Sequence, residues 1–488
     1  MGKFAVGKFG IVVLFCVTVT LSASAQTFTL LTKFNGTDGA WPTYGSLLQG
    51  VDGNFYGTTS FGGAKNAGSV FNISPSGSVT TFYSFCSLAA CGDGSVPYAG
   101  LLQTLNGNFY GTTYEGGGAN DGTIFELTSK GVLTTLHSFC SAANCADGAT
   151  PYSGLIVAPN GNFYGTTGLK GGLTTVYGTV FEMTPAGQLK TLYTFCSKTS
   201  CSDGSAAAKG LTLATNGNFY GVTGDGGTSN VGTAFEITPA GKLTTIYSFN
   251  ASQGEFPNAL VQGANGNFYG TTSYGGANSS GVVFELTPSG QYSVLYNFCS
   301  QATCADGATP NAPLVQGTDG NFYGTTMLGG VAVVNGQFFD GYGTLFEITP
   351  TGQLTTLYTF CSQSGDCGDG AYPEAGLIQG TDGSFYGTTH GLPSCPGNCG
   401  TVFQLSTGLG AFVEASPDFN HVGRSVNILG NLLRGATSVT FNGAPATFKV
   451  VSSTYIKAAV PTGATTGTIE VTTPSGVLKS NVPFHVLP

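Results

Sequence analysis

The sequence predicts an all-β protein: a seven-bladed β-propeller closed by an N-terminal strand, followed by an immunoglobulin-like β-sandwich. Three observations predict it. The phrase NGNFYGTT at 160–167 has close copies starting at 52, 106, 216, 265, 319 and 382, and a period near 50 residues belongs to propellers or solenoids. Each period holds four short strand-like runs joined by turns, as a propeller blade does. The chain carries 78 Gly, 35 Phe and 22 Tyr with only 8% charged residues, a composition of secreted β proteins and not of disordered chains.

The first 25 residues stand apart from this pattern. Lys3 and Lys8 precede the apolar run IVVLFCVTVTL, and Ala23-Ser24-Ala25 forms a small-residue cleavage site. This is the layout of a secretory signal peptide, with the mature chain starting at Gln26. Cys16 does not read as a lipid-attachment site, because Phe15 precedes it where a small residue is needed. No later apolar run reaches the ~20 residues of a membrane-spanning helix. Without Lys3 and Lys8, 13 basic residues face 24 acidic ones. That excess argues against nucleic acid and anionic membrane surfaces as partners. A monomer that is secreted or held at the cell surface is expected.

Residues 151–199 show one repeat in full. SGLIVAP is a first strand, NG a two-residue turn, NFYGTTG a second strand and LKGGLTTVYG a loop. TVFEMTP is a third strand, AG a turn and QLKTLYTF a fourth. Asn-Gly supplies the left-handed backbone of a type I′ hairpin turn. Phe163 and Tyr164 are consecutive, so they point to opposite faces, and both can be buried between neighbouring sheets. Gly165 leaves room where sheets approach closely. The fourth strand occurs at 79–85, 133–139, 189–195, 243–249, 292–298 and 354–360 but is missing after the last repeat. Its match, TFTLLTKF, stands at 27–34, so the N-terminal strand is expected to complete the last blade.

Twelve cysteines remain beside Cys16, and they stand as near neighbours: Cys86/Cys91, Cys140/Cys145, Cys196/Cys201, Cys299/Cys304, Cys361/Cys367 and Cys395/Cys399. Repeats that lack one member lack both. Local disulfides in an exported protein are the simplest reading. The alternative, structural zinc, needs four ligands together, whereas each pair stands alone in its repeat.

The stretch GLLQTLNGNFYGTTYEGGGANDGTIFELTSKGVLTTLHSF (100–139) closely resembles the GloVer (Gloeobacter–Verrucomicrobia) tandem repeat, and the resemblance runs over about residues 27–410. It implies an exported, β-propeller-like protein of the cell surface or exterior, with no catalytic residues to carry over. From Phe412 the repeat stops. VNILG, ATSVTFNG and VPTGATTGTIEVTTPSG resemble an IPT/TIG domain, an immunoglobulin-like module. The expected division is a signal peptide over 1–25, a propeller over 26–410 and the IPT/TIG domain over 411–488.

Function is expected on the face that carries the long loops. The loops after the second strand vary from SFGGAKNAG (60–68) to MLGGVAVVNGQFFDGYG (327–343), and variable loops on a rigid scaffold are where binding usually sits. Candidate binding residues there are Phe61, Tyr114, Tyr177, Tyr274, Phe338, Phe339, Tyr342 and His390, since aromatic faces stack on sugars or anchor protein partners. Asp38, Asp93, Asp147, Asp203, Asp306 and Asp369 each precede Gly ahead of the first strand. They read either as a ring at the channel mouth that holds a cation or polar ligand, or as Asp-Gly turns capping their own backbone. Glu126, Glu182, Glu236, Glu285 and Glu347 recur in the third strand, where inter-blade hydrogen bonding is expected. His137 replaces a repeat Tyr, and His421 and His485 belong to the tail. No H-E-x-x-H, G-x-S-x-G or D-x-D-x-D-G motif is present, so no metal site and no cofactor are expected. A binding scaffold for a polysaccharide or protein is the leading expectation. The alternatives are an extracellular lyase or hydrolase acting on a polysaccharide, and a structural spacer of the envelope.

Overall fold

The computed structural model describes residues 26–487 apart from 169–176, 331, 335–336, 340, 363–366 and 392–398, and no side chain within 331–340. The expected signal peptide therefore lies outside the described residues. Every copy of the repeated phrase becomes the second strand of a sheet: Phe55–Thr59, Phe109–Thr113, Phe163–Thr167, Phe219–Thr223, Phe268–Tyr274, Phe322–Thr326 and Phe385–Thr389. Each lies antiparallel between a short first strand and a third strand, and the fourth strand forms the far edge. In the third repeat these are Ile156–Val157, Thr179–Met183 and Leu189–Thr194.

The last repeat has no fourth strand of its own and borrows one. Thr27–Lys33 pairs antiparallel with Thr401–Ser406. The borrowed strand even reproduces the repeat's irregularity. Leu30 and Thr32 face Phe403 and Val402, skipping one residue, as Thr191 and Tyr193 face Phe181 and Val180. The N-terminal strand thus takes the place of the missing one, as its sequence predicts.

Consecutive Phe and Tyr of the second strand do point to opposite faces, and this packs sheet on sheet. Tyr56 meets Phe109 with ring centroids 4.3 Å apart, Tyr110 meets Phe163 at 4.6 Å, and Tyr164 meets Phe219 at 4.3 Å. The series goes on through Tyr220 and Phe268 at 4.2 Å, Tyr269 and Phe322 at 4.1 Å, and Tyr323 and Phe385 at 4.0 Å. It returns to its start with Tyr386 against Phe55 at 4.0 Å. Thr388 Oγ1 also donates to Pro42 O across the same junction, at 3.1 Å. The glycine between these aromatics and the threonines is forced: a Cβ on Gly165 would stand 2.6 Å from the Phe181 ring.

Each buried tyrosine hydroxyl needs an acceptor, and the repeats supply it in two ways. In the NG repeats the third-strand Glu accepts: Tyr110, Tyr164, Tyr220 and Tyr269 donate to Glu126, Glu182, Glu236 and Glu285 at 2.8–2.9 Å. These glutamates therefore bond within their own sheet and not between sheets, because the tyrosine one strand away lies directly opposite in register. In the DG repeats the turn Asp accepts instead: Tyr56 to Asp52 at 2.8 Å and Tyr386 to Asp382 at 2.7 Å. There the third-strand position is Asn72 or Gln404. The sixth repeat alone has both carboxylates, Asp319 and Glu347. Burial, and then the Asp319 charge, push Glu347 above its usual pKa.

The tail forms two packed sheets. One contains Glu414–Ser416, Ser425–Leu429, Tyr455–Ala459 and Phe448–Val450. The other contains Ala444–Pro445, Ser438–Phe441, Ile469–Thr473 and Gly476–Lys479. Between them Val426, Ile428, Phe441, Ile456, Ile469 and Val471 are fully buried. The sandwich sits against the turns between first and second strands. Thr454 Oγ1 donates to Val51 O at 3.1 Å, and Phe412 N donates to Thr381 O at 3.1 Å.

Two outcomes test this account. Phe28 stacks on Tyr358 at 3.9 Å and lies 5.5 Å from Phe403, so Phe28→Ala is expected to cost about 2–3 kcal/mol, read as a lower denaturant midpoint. Glu347→Gln is expected to stabilise by no more than about 1 kcal/mol at pH 7, since the site is partly screened by solvent. A carboxyl raised in the folded state begins to oppose folding once pH climbs past its unfolded value near 4.5. The gain should therefore vanish below that pH, as thermal unfolding across pH would show.

Candidate functional site

The first strands face a central cavity of about 580 Å³, whose lining comes from the first six repeats and includes Tyr44, Tyr152, Ser153, Lys209, Asn258 and Asn311. A size of this order suits a small ligand or one end of a larger one. At the opposite end lies a smaller cavity, where Gln49, Val315, Ile378 and Gln379 meet Glu414 and Asn481 of the sandwich. The tail domain thus lies at the turn end, against the first, sixth and seventh repeats.

A repeated backbone device builds the mouth at the long-loop end. In each repeat the chain approaches its first strand through a non-glycine residue with positive φ: Trp41, Val96, Thr150, Ala206, Phe256, Thr309 and Tyr372, at 48–57°. The device is held from both sides. Val96 N donates to Ala67 O of the preceding loop at 2.8 Å, and Tyr114 N donates to Val96 O at 3.0 Å. A left-handed backbone at residues other than glycine costs free energy, and the same pair of backbone hydrogen bonds holds it at Thr150, Ala206, Thr309 and Tyr372. A few residues further on come the side chains of the mouth: Tyr44, Tyr98, Tyr152, Lys209, Asn258, Asn311 and Glu374.

The mouth has two unlike arcs. On one, Tyr98 and Tyr152 stack at 5.2 Å with planes 2° apart, and Tyr44 stands edge-on to Tyr98 at 5.6 Å. Tyr114 packs on both members of the stack, at 5.1 and 4.7 Å. Burial, aided by Glu374 and Tyr98, pushes the Tyr44 hydroxyl up to about 12, and burial raises Tyr98 and Tyr152 as well. These phenols are donors at any physiological pH. The other arc is polar. Ser273 Oγ donates to Asn311 Oδ1 at 2.9 Å, and Asn258 Nδ2 donates to Pro310 O at 2.9 Å. Glu374, only 5% exposed, lies with Oε2 3.6 Å from His390 Nδ1. Trp41 meets both His390 and Phe61 edge-on at 4.8 Å.

The structure brings some of the sequence-selected residues together and leaves others apart. Tyr114 joins the tyrosine arc, and Phe61 and His390 share the Trp41 cluster. Tyr342 packs on Tyr372 at 5.3 Å. Tyr274, 49% exposed, stands 6.0 Å from Phe256. Tyr177 gives its carbonyl to Ala206 N at 3.0 Å. Phe338 and Phe339 lie on the strand Gln337–Phe339, where no side chain is described.

The aspartates are placed otherwise than in a ring at the mouth. They lie towards the fourth strands, at the edge of each sheet away from the cavity, and are spent within their own loops. Asp93 accepts from Ser87 N at 2.9 Å, Leu88 N at 3.0 Å and the Tyr83 hydroxyl at 2.8 Å. Asp203 and Asp306 repeat the pattern with Tyr193 and Tyr296 at 2.7 and 2.8 Å. Asp147 repeats it with His137 at 3.0 Å, which explains the histidine in a tyrosine position. Asp369 accepts from Cys361 N and Tyr358, and Asp38 from Asn35 N. The same loops carry disulfides at Cys86–Cys91, Cys140–Cys145, Cys196–Cys201, Cys299–Cys304 and Cys361–Cys367. Cys399 is disulfide-bonded, while Cys395 lies outside the described residues. Asp121 approaches Cys140 and Cys145, but their sulfurs are joined to each other and are not free thiolate ligands.

Comparison with known proteins agrees with the repeat pattern. Residues 13–212 and 170–403 match the Gloeobacter/Verrucomicrobia repeat, and residues 413–486 match the IPT/TIG domain. No curated protein matches the chain. A structural genomics protein of unknown function from Bacteroides thetaiotaomicron is 16% identical, over 70% of this chain and 82% of its own, with a TM-score of 0.37. A gluconolactonase from Xanthomonas campestris is 11% identical, over 78% of this chain and 94% of its own, with a TM-score of 0.36.

The aspartate loops give the fold an acid limit. Burial alone would raise Asp93, Asp147 and Asp203, but hydrogen bonds from backbone and side chains outweigh it and hold all three below the usual carboxyl range. Their contribution to stability is complete above the unfolded value near 3.8 and is lost as pH falls through the lower folded values. Asp203→Asn should be less stable than the parent at neutral pH and lose less on acidification, as thermal unfolding between about pH 2 and 7 would show.

Proposed function

Because this chain belongs to the Gloeobacter/Verrucomicrobia repeat family and ends in an IPT/TIG domain, we propose that it is an exported binding scaffold that takes a polysaccharide at the open mouth of its cavity. In this reading the seven sheets are the blades of a propeller closed by the N-terminal strand. The observation that carries it is the arc of Tyr44, Tyr98, Tyr114 and Tyr152 beside the polar residues Asn258 and Asn311. Sugars present apolar CH faces and hydroxyls at once, and a site of stacked phenols next to amides answers both. Tyrosine also gives contact area at low cost in conformational entropy, since few of its bonds rotate.

Export is supported by the five disulfides, which persist in oxidising compartments. Among the described residues no helix is long and apolar enough to cross a membrane. One observation favours an enzyme as the second reading: Glu374 Oε2 and His390 Nε2 are buried with no hydrogen-bond partner. Such a pair could move a proton once a substrate supplied the missing partner. Release of new reducing ends or unsaturated products from a bound polysaccharide would favour that reading.

The binding reading is tested by titrating neutral and acidic polysaccharides into residues 26–488. Saturable binding is expected for at least one class, with Tyr98→Ala or Tyr152→Ala weakening it about tenfold or more, about 1.4 kcal/mol. Unchanged affinity in both folded variants would remove the tyrosine arc from the site.

A further inference from the structure

Lys209 is out of keeping with its surroundings. The chain has 15 basic residues among 488, and this one lines the central cavity. It comes from the fourth repeat, yet its ammonium lies 5.9 Å from the ring of Tyr44, in the first. Among the described residues it has neither an ion pair within 4.0 Å nor a hydrogen bond. Burial draws it below the usual lysine pKa, and the more distant Glu374 charge works against that. Lys209 is only partly buried, so its ammonium faces the cavity with no protein oxygen in place and is open to an oxygen that a ligand brings.

We propose that Lys209 receives a carboxylate of the ligand, so that the mouth selects saccharides built from uronic acid units. The proposal rests on the polysaccharide reading above and narrows it. Three features point to a single negative charge. One lysine is a point charge with three donors, enough for one carboxylate. Glu374 stands on the same rim and repels any larger anionic load, which disfavours densely sulfated chains. The phenols of Tyr44, Tyr98 and Tyr152 keep their protons, so they donate to the remaining carboxylate and ring oxygens and do not compete with them. The cavity thus offers a stacking wall and a cation within the same 580 Å³.

The test is calorimetric titration of residues 26–488 with oligomers of galacturonate, glucuronate and mannuronate. Their methyl esters serve as neutral counterparts, and a sulfated neutral oligomer as a third arm. One acid form is expected to bind about tenfold or more tighter than its ester, with the preference shrinking as salt is added. Lys209→Met should abolish that preference while keeping the affinity for the ester. Because no protein group pairs with this ammonium, the substitution should leave the thermal midpoint close to that of the parent. Glu374→Gln should tighten binding of the acid form alone. Equal affinity for acid and ester, or a preference that survives in Lys209→Met, overturns the inference and leaves the polysaccharide reading standing. Preference for the sulfated oligomer overturns the choice of carboxylate. Binding of no saccharide removes both. If Lys209→Met does not fold, Glu374→Gln decides: no gain for the acid form counts against the proposal.

Discussion

The contact between a tyrosine of one sheet and a phenylalanine of the next is what the rest of this structure depends on. It occurs at every junction and closes on itself when Tyr386 reaches Phe55. Each such pair contributes about 0.5–1.5 kcal/mol beyond the area it buries, and each fixes the distance between neighbouring sheets. A circuit leaves no sheet face without a partner, so no single junction can open alone without loss. The borrowed N-terminal strand matters for the same reason. It supplies Phe28 to the last junction, against Tyr358 and Phe403.

Burying a tyrosine ring also buries the root of a polar hydroxyl, and the repeats meet this with one carboxylate each, from the turn or from the third strand. Only the sixth repeat carries both. The rule is written within the sequence, as DG paired with Asn72 or Gln404 and NG paired with Glu. It becomes readable only when the second and third strands are known to lie in register, so that Tyr164 faces Glu182. Without that register, the glutamates look like a symmetric set in search of inter-blade partners.

The architecture was legible because it rests on periodic, hydrophobic choices. The strand order, the borrowed strand, the local disulfides and the opposite-facing Phe and Tyr all follow from spacing. The site was less legible. Aromatics in long loops, such as Tyr274 and Tyr177, drew attention through exposure, yet they stand apart from the cavity. The aspartates drew attention through regularity, and that regularity belongs to loop capping. The mouth residues were hidden because they vary: Tyr98 and Tyr152 at one position become Asn311 and Glu374 at the same position in later repeats. In a repeat protein a fixed residue serves the fold that all units share. A position that changes from unit to unit is free of that duty and available for recognition. Read in that way, the stretch just before each first strand is the signal that could have found the site.

The sandwich at the turn end bears on what can reach the cavity from that side. Glu414 and Asn481 of the sandwich line the smaller cavity at the turn end, beside Gln49 and Gln379. A polysaccharide stopped there would present only a terminus or a side branch to the central cavity. Occupancy would then count the ends and branches of a polysaccharide, not its mass. Cutting a chain in two would double the number of places to bind, while the amount of sugar stayed the same.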